Sequence, residues 1–349
     1  MLLKHLLQSS LVTLFSIICF QTTYSQFDTT ALSIKLNQAK EKLGKDVAFI
    51  LYSNGKVAYK KEMGNFTVKT QVPIGASSQW LTAALVMTFV QEGKLSLDDK
   101  VSAYLPIFAQ HYKSYITIRQ CLTNYTGIQS EQGVAKFLQK NKFKTLEAAV
   151  DNVASKREIE TNAGTEFRYS NVGYAIAGRV LEVITRKSFD KLMQDRITRP
   201  LLMKNTTFTS ENYNDAIDPA TGARSTAADY INFLSMLLNK GTFNNKPVLT
   251  ESSADILHKL SAEASSIKYA PKTVEGLSYG MGEWILERNG QGKTVAAIAP
   301  SLLGTWPMID LCRGYAYVIV AKDPEGEQDR NIYIDIKATI DKAIPGNCK

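Results

Sequence analysis

The strand-forming residues of this 349-residue chain gather near its two ends, with little between them that reads as sheet. Val47-Ala48-Phe49-Ile50-Leu51-Tyr52 and Val57-Ala58-Tyr59-Lys60-Lys61 flank Ser53-Asn54-Gly55-Lys56. An Asn-Gly pair there specifies a tight hairpin, because both central residues of such a turn need positive φ. The second set lies far downstream, at Tyr279–Glu287, Thr294–Ile298, Leu303–Leu311 and Tyr315–Lys322, punctuated by Gly290-Gln291-Gly292 and Arg313-Gly314. One sheet must therefore be assembled from both ends of the chain. Leu32–Leu43 and Asp329–Ala343 have helical periodicity, and Ala76–Gln91 is apolar on most faces, as a helix enclosed by other layers should be. The expected fold is α/β in the α+β sense. An antiparallel sheet flanked by helices (residues 26–94 and 266–349) carries an inserted, mostly helical lobe (95–265).

Met-Leu-Leu-Lys-His, an apolar run to Phe20 and then Thr23-Tyr24-Ser25 read as a secretory signal peptide, residues 1–25, cleaved after Ser25. The apolar stretch is too short for a convincing span, so the expectation is a secreted or periplasmic protein without a stable membrane anchor. The net charge of +8 comes from scattered basic residues, which argues for a solvated surface and against nucleic-acid binding. A weak attraction to anionic envelope polymers is compatible with it. Beyond the leader the histidines are His111 and His258; neither has a ligand partner at helical spacing, and no Cys-x-x-Cys or His-Glu-x-x-His occurs. No metal or cofactor is expected, and both histidines read as ordinary surface or helix residues. Cys121 lies on an apolar helical face and reads as a buried free thiol. Cys312 and Cys348 either pair, in an oxidising compartment, or are both free.

Three segments carry the chemistry. The first runs Ile74-Gly75-Ala76-Ser77-Ser78-Gln79-Trp80-Leu81-Thr82-Ala83-Ala84 and continues to Glu92-Gly93-Lys94-Leu95-Ser96-Leu97-Asp98-Asp99. The second is Tyr169-Ser170-Asn171 entering an apolar helix, and the third is Ala299-Pro300-Ser301-Leu302-Leu303-Gly304-Thr305-Trp306-Pro307. Together they resemble the serine β-lactamase and penicillin-binding-protein superfamily. Ile116–Ile128, Arg196–Thr206 and Gly222–Gly241 resemble its other segments, so the likeness spans roughly residues 45–322.

The resemblance implies that the nucleophile is missing. In the family a serine three residues before a lysine attacks the substrate; without a gap these positions are Ala76 and Gln79. Serine needs a neighbouring base to attack at neutral pH. Alanine has no oxygen, and glutamine cannot accept a proton as a base. Sliding the register to Ser77 or Ser78 puts Trp80 or Leu81 at the lysine position, and the Ser-x-x-Lys strings at Ser53, Ser188 and Ser265 lack the structural context. Tyr169 and Asn171 are retained. They match family positions that move protons and bind the substrate amide, or they persist because the tyrosine packs and the asparagine caps the next helix. The family's polar residue and glycine at the sheet edge have become Ala299 and Ser301. The backbone N–H groups of Ala76 and Leu302 match the family's oxyanion hole.

The leading expectation is an exported β-lactamase-like protein that has lost serine-hydrolase activity. It would bind a peptide or cell-envelope ligand at Ala76, Tyr169, Asn171, Ser301 and Leu302, without cofactor. The alternatives are an active hydrolase using Ser77, Ser78 or Ser301, and a scaffold whose cleft has collapsed around Trp80, Leu302 and Trp306.

Overall fold

The computed structural model describes residues 29–130, 143–209, 215–322, 328–346 and 348; the signal peptide expected at 1–25 lies outside them. Seven strands form the main sheet: β1 (Val47–Ser53), β2 (Lys56–Met63), β3 (Ser278–Tyr279), β4 (Trp284–Arg288), β5 (Thr294–Ile298), β6 (Thr305–Asp310) and β7 (Tyr315–Ala321), in the order β2-β1-β7-β6-β5-β4-β3. Every pairing is antiparallel. Asn54 and Gly55 take φ of 51° and 76°, the positive pair the hairpin turn demands. Strand β1, from the beginning of the chain, pairs with β7 from its end, Val47 opposite Ala321.

The uninterrupted apolar run of β1 follows from burial on both faces. Val47, Phe49 and Leu51 join a core under α1 (Thr30–Leu43) and the C-terminal helix, while Ala48 and Ile50 face the opposite core, with the central helices. That second core centres on α2 (Ser78–Val90), whose residues are buried from Ser78 to Phe89. Around it lie α3 (Ile118–Leu122), α4 (Val172–Thr185), α5 (Ala227–Leu238) and α6 (Glu251–Leu257). The start of α4 passes so close to α3 that a Cβ on Gly173 would lie 2.0 Å from the Cys121 carbonyl oxygen. The last helix, α7 (Arg330–Ala343), is capped by the Asp329 side chain, which accepts from the Asn331 N–H at 3.0 Å. No described helix is long and apolar enough to cross a membrane.

Two strands differ from the sequence reading. The run Tyr279–Glu287 is two strands, because Trp284 pairs back onto Tyr279 through a turn at 280–283. Gly282 (φ 83°) sits in that turn against α2, where a Cβ would lie 2.9 Å from the Gln79 carbonyl oxygen. The run expected from Leu303 begins at Thr305, because Ser301–Gly304 is consumed by the turn into β6: Ser301 N–H donates to Thr305 O at 2.8 Å and Gly304 N–H to Ser301 O at 3.1 Å.

Cys121 is a buried free thiol, and burial raises its pKa. Cys312 and Cys348 form a disulfide. The bridge ties the chain's end to a corner where Lys337 is paired with Asp341 and Glu287 (both 2.8 Å) and with Asp310 (3.2 Å), and where Arg313 joins Asp310 at 3.0 Å.

Candidate functional site

The segment before α2 makes one tight turn, Gly75–Ser77, that sets Ala76 at the wall of a cavity of about 230 Å³. Tyr169, Ser301 and Leu302 line the same cavity. The other walls are residues the sequence reading did not single out: Tyr269, Val274, Trp284 and Gln328 among them. Tyr269 arrives because residues 267–269 pair in parallel with 167–168, and the Tyr169 N–H donates to the Tyr269 carbonyl at 3.1 Å. Trp284 enters from β4, its ring 5.3 Å from that of Tyr169. Nothing in the local sequence flags these positions, since they converge from segments about a hundred residues apart.

Gln79 lies one helical turn beyond Ala76 and is buried behind it. Its Nε2 donates to Asn171 Oδ1 at 3.3 Å, its amide reaches the Tyr169 phenol, and its Oε1 lies 3.4 Å from the Tyr279 hydroxyl. Tyr279 in turn lies 2.9 Å from the Tyr174 hydroxyl, which is 2.8 Å from the Leu122 carbonyl. These groups are neutral. Burial, and then the neighbouring Tyr279 and Tyr269 rings, hold the Tyr169 phenol well above its ordinary range. At neutral pH it carries its proton and cannot take another group's. Asn171 does not cap α4 with its side chain; that side chain is turned to Gln79 instead. The Val172 N–H is met by Ser170 Oγ at 3.0 Å.

The alternative serines are all engaged. Ser77 Oγ, fully buried, donates to the Ala299 carbonyl at 2.6 Å. Ser78 Oγ donates to the Gly75 carbonyl at 2.6 Å and accepts from the Ala223 N–H at 3.1 Å. Ser301 Oγ accepts from the Leu303 N–H at 3.2 Å and packs against Gly75, where a Cβ would lie 2.3 Å away; glycine there is also required by φ of 48°. Ala299 is buried and its N–H donates to the Pro307 carbonyl at 3.3 Å. Leu302 sits at the rim, half-buried.

Two of the bulky residues expected to crowd the cleft do not. Trp80 points the other way, edge-on to Phe233 and His258, and Trp306 stacks on Tyr333 at 3.8 Å beneath α7. The reading of His258 as an ordinary surface or helix residue is also corrected. It is buried at the end of α6, and its Nδ1 faces both oxygens of the fully buried Glu283 at 3.0 and 2.9 Å. Burial works against the imidazolium, but the Glu283 carboxylate overcomes it, so the His258 pKa is raised. The pair escaped notice because its partners are on separate segments with no periodic relation.

The comparisons with known proteins agree with this fold. The sequence profile of the Beta-lactamase family matches residues 38–339. The chain belongs to the β-lactamase family. Over 182 residues it is 30% identical to Protein flp of Staphylococcus aureus, a match covering 49% of this chain and 36% of that protein. The chain thus spans about a third of that curated relative's length. A crystallised β-lactamase-family protein from Bacteroides dorei is 25% identical, with a TM-score of 0.79, covering 90% of this chain and 98% of that one. A penicillin-binding protein homologue from Caulobacter crescentus shares the fold at 14% identity and a TM-score of 0.72, over 90% of this chain and 96% of that one.

Proposed function

We propose that this protein is a catalytically inert member of its family that binds a small ligand in the cavity beside Ala76. The observation that carries the reading is the state of the turn that leads into α2 and of the start of that helix. The side chain facing the cavity is a methyl group, and the residue one turn on is a neutral amide tied to Asn171. The adjacent hydroxyls of Ser77 and Ser78 are spent on backbone carbonyls. Acyl transfer by serine needs a nucleophile and a base in contact, and neither role has a candidate here. Removing a serine nucleophile alone costs about a million-fold in a well-studied protease. What persists is a cavity with aromatic walls, which favours binding over the collapsed scaffold.

The partner we propose is a cell-envelope ligand, a peptide-bearing one included, that inserts one small group into the cavity. On the other side of Leu302 lies a more open groove with Phe66, Gln71, Arg224 and Lys322, able to take the remainder. Export is part of the same proposal: the Cys312–Cys348 disulfide suits an oxidising compartment. Amino-terminal sequencing of the mature protein should give Gln26 as its first residue.

The test of inactivity is intact-mass measurement after exposure to a fluorophosphonate and, separately, to a penicillin. No adduct is expected with either. An adduct mapped to Ser77, Ser78 or Ser301 would establish a rearranged active hydrolase and overturn the proposal.

A further inference from the structure

On the wall of the cavity beside Ala76, Tyr169, Trp284 and Val274 are almost fully buried, whereas Tyr269, Pro271 and Leu302 are half-buried. The cavity therefore has an enclosed end and a mouth. Its side-chain polar atoms are largely spent. Ser301 Oγ accepts from the Leu303 N–H at 3.2 Å, Thr273 Oγ1 lies 3.5 Å from the Gln328 carbonyl, and both amide atoms of Gln328 are sealed from solvent. Recognition at the enclosed end falls to carbon surface and shape.

That end borders a larger aromatic cluster. From ring centre to ring centre, Tyr169 and Trp284 are 5.3 Å apart, Trp284 is 4.9 Å from Tyr279 and 5.9 Å from Phe167, and Phe167 is 5.0 Å from Tyr279. The ring planes cross at 47° to 79°, the tilted and edge-to-face arrangements that aromatic quadrupoles prefer. Phe167 and Tyr279 lie behind the wall, while Tyr169 and Trp284 reach the cavity, where Tyr269 adds another ring. A ring that enters extends the cluster by one member; an aliphatic group of equal size gains burial alone. Size agrees: an apolar cavity of about 150 Å³ holds benzene, so about 230 Å³ admits one ring with small substituents.

We infer that the cavity receives a single aromatic ring, carried as a side chain on a longer ligand that leaves past Leu302. Leu302 lines both the cavity and the neighbouring groove, so the ligand's two parts meet at that residue. This rests on the binding reading above and specifies the group inserted.

The experiment is calorimetric titration of the full mature chain with the N-acetyl amides of phenylalanine, leucine and alanine, and with toluene as the ring alone. It is repeated on Ala76→Leu, Tyr269→Leu and Tyr269→Phe, each checked by thermal melting. The phenylalanine amide should bind roughly 10- to 100-fold more tightly than the alanine amide, the value of burying the ring. Leucine and phenylalanine side chains gain similar amounts from burial, so their difference isolates the aromatic contacts. A preference for phenylalanine of roughly 2- to 10-fold is expected. Tyr269→Leu should reduce that preference and Tyr269→Phe should keep it. Ala76→Leu puts a side chain into the cavity and should abolish binding of both toluene and the phenylalanine amide. Leucine amide binding as tightly as phenylalanine amide would overturn the aromatic assignment, as would unaltered binding in a folded Ala76→Leu protein. Toluene binding without the phenylalanine amide would overturn the tethered form and assign the cavity to a free aromatic molecule. Failure of every probe to bind the wild-type protein would overturn the binding reading itself.

Discussion

The cleft at the head of α2 and the corner of the sheet beneath α7 both bury polar side chains, yet only the corner buries charge. At the corner Lys337 and Asp310 are almost wholly enclosed and sit in a network with Glu287, Arg313 and Asp341. In the cleft the corresponding places are held by Gln79, Asn171, Tyr169 and Gln328, none of them charged at neutral pH. The difference teaches where a site can hide. Charged groups deep in a protein persist when paired, and pairing of that kind is structural here.

The largest expected effect comes from putting charge chemistry back into the cleft. The double substitution Ala76→Ser with Gln79→Lys restores a hydroxyl and a basic amine one helical turn apart, next to Tyr169 and Asn171. Slow acylation by an activated ester should appear where the natural protein shows none, read by intact mass. If the folded variant forms no acyl-enzyme, the cleft has diverged in backbone as well as side chains, and the contrast with the corner is deeper than charge.

Second in size is Lys337→Met, which strands Asp310 in the interior with Arg313 as its remaining cation. A loss of about 3–5 kcal/mol in urea unfolding is expected, with ligand binding in the cleft unchanged. A loss below about 1 kcal/mol would mean that the corner tolerates exposed charge, as a surface network does. Reducing Cys312–Cys348 should cost about 2–4 kcal/mol, since the bridge closes a loop with a sequence separation of 36. Unfolding in the presence and absence of reductant measures it, and an unchanged midpoint would free the corner of its covalent tie.

The smallest effect is a pH dependence. His258 is raised above its ordinary value of 6.5 by Glu283, with Asp255 adding to it, against the opposing effect of burial. Its contribution is complete below the unfolded histidine value and is lost as pH rises through the raised folded one, so stability should decline on the alkaline side of neutrality. Glu283→Gln should flatten that decline; a profile identical to that of the natural protein would show that the pair does not titrate in this window.

Much of the fold is legible from local pattern. The apolar run of β1, the Asn54-Gly55 turn and the all-round hydrophobicity of α2 each state their burial directly, because a strand or helix enclosed on every side has no polar face to keep. Ala76 and Gln79 were readable too, since they stand at fixed spacing in a recognisable segment. The cavity was not. Tyr269, Trp284 and Gln328 come from three separate segments, and no period or spacing links them to Tyr169. The pairing of His258 with Glu283 is hidden in the same way: each residue is unremarkable until the 280–283 turn folds against α2. Trp80 and Trp306 misled for the converse reason, being close in sequence to cleft residues but directed to opposite sides of their elements.

The pairing of β1 with β7 has a consequence for how the molecule is made. Val47 meets Ala321 across the sheet, so the inner edge of β1 finds its partner only after the chain has been synthesised as far as β7. Contacts of such separation pay loop closure before they are rewarded, which slows folding. Until then the hairpin of β1 and β2 presents an apolar strand with an open edge, the kind of surface on which chains join one another. For this protein the hazardous interval in its life is the delay between the first hairpin and the last strand, and anything that shields β1 during that delay should raise the yield of native protein more than stabilising the finished fold.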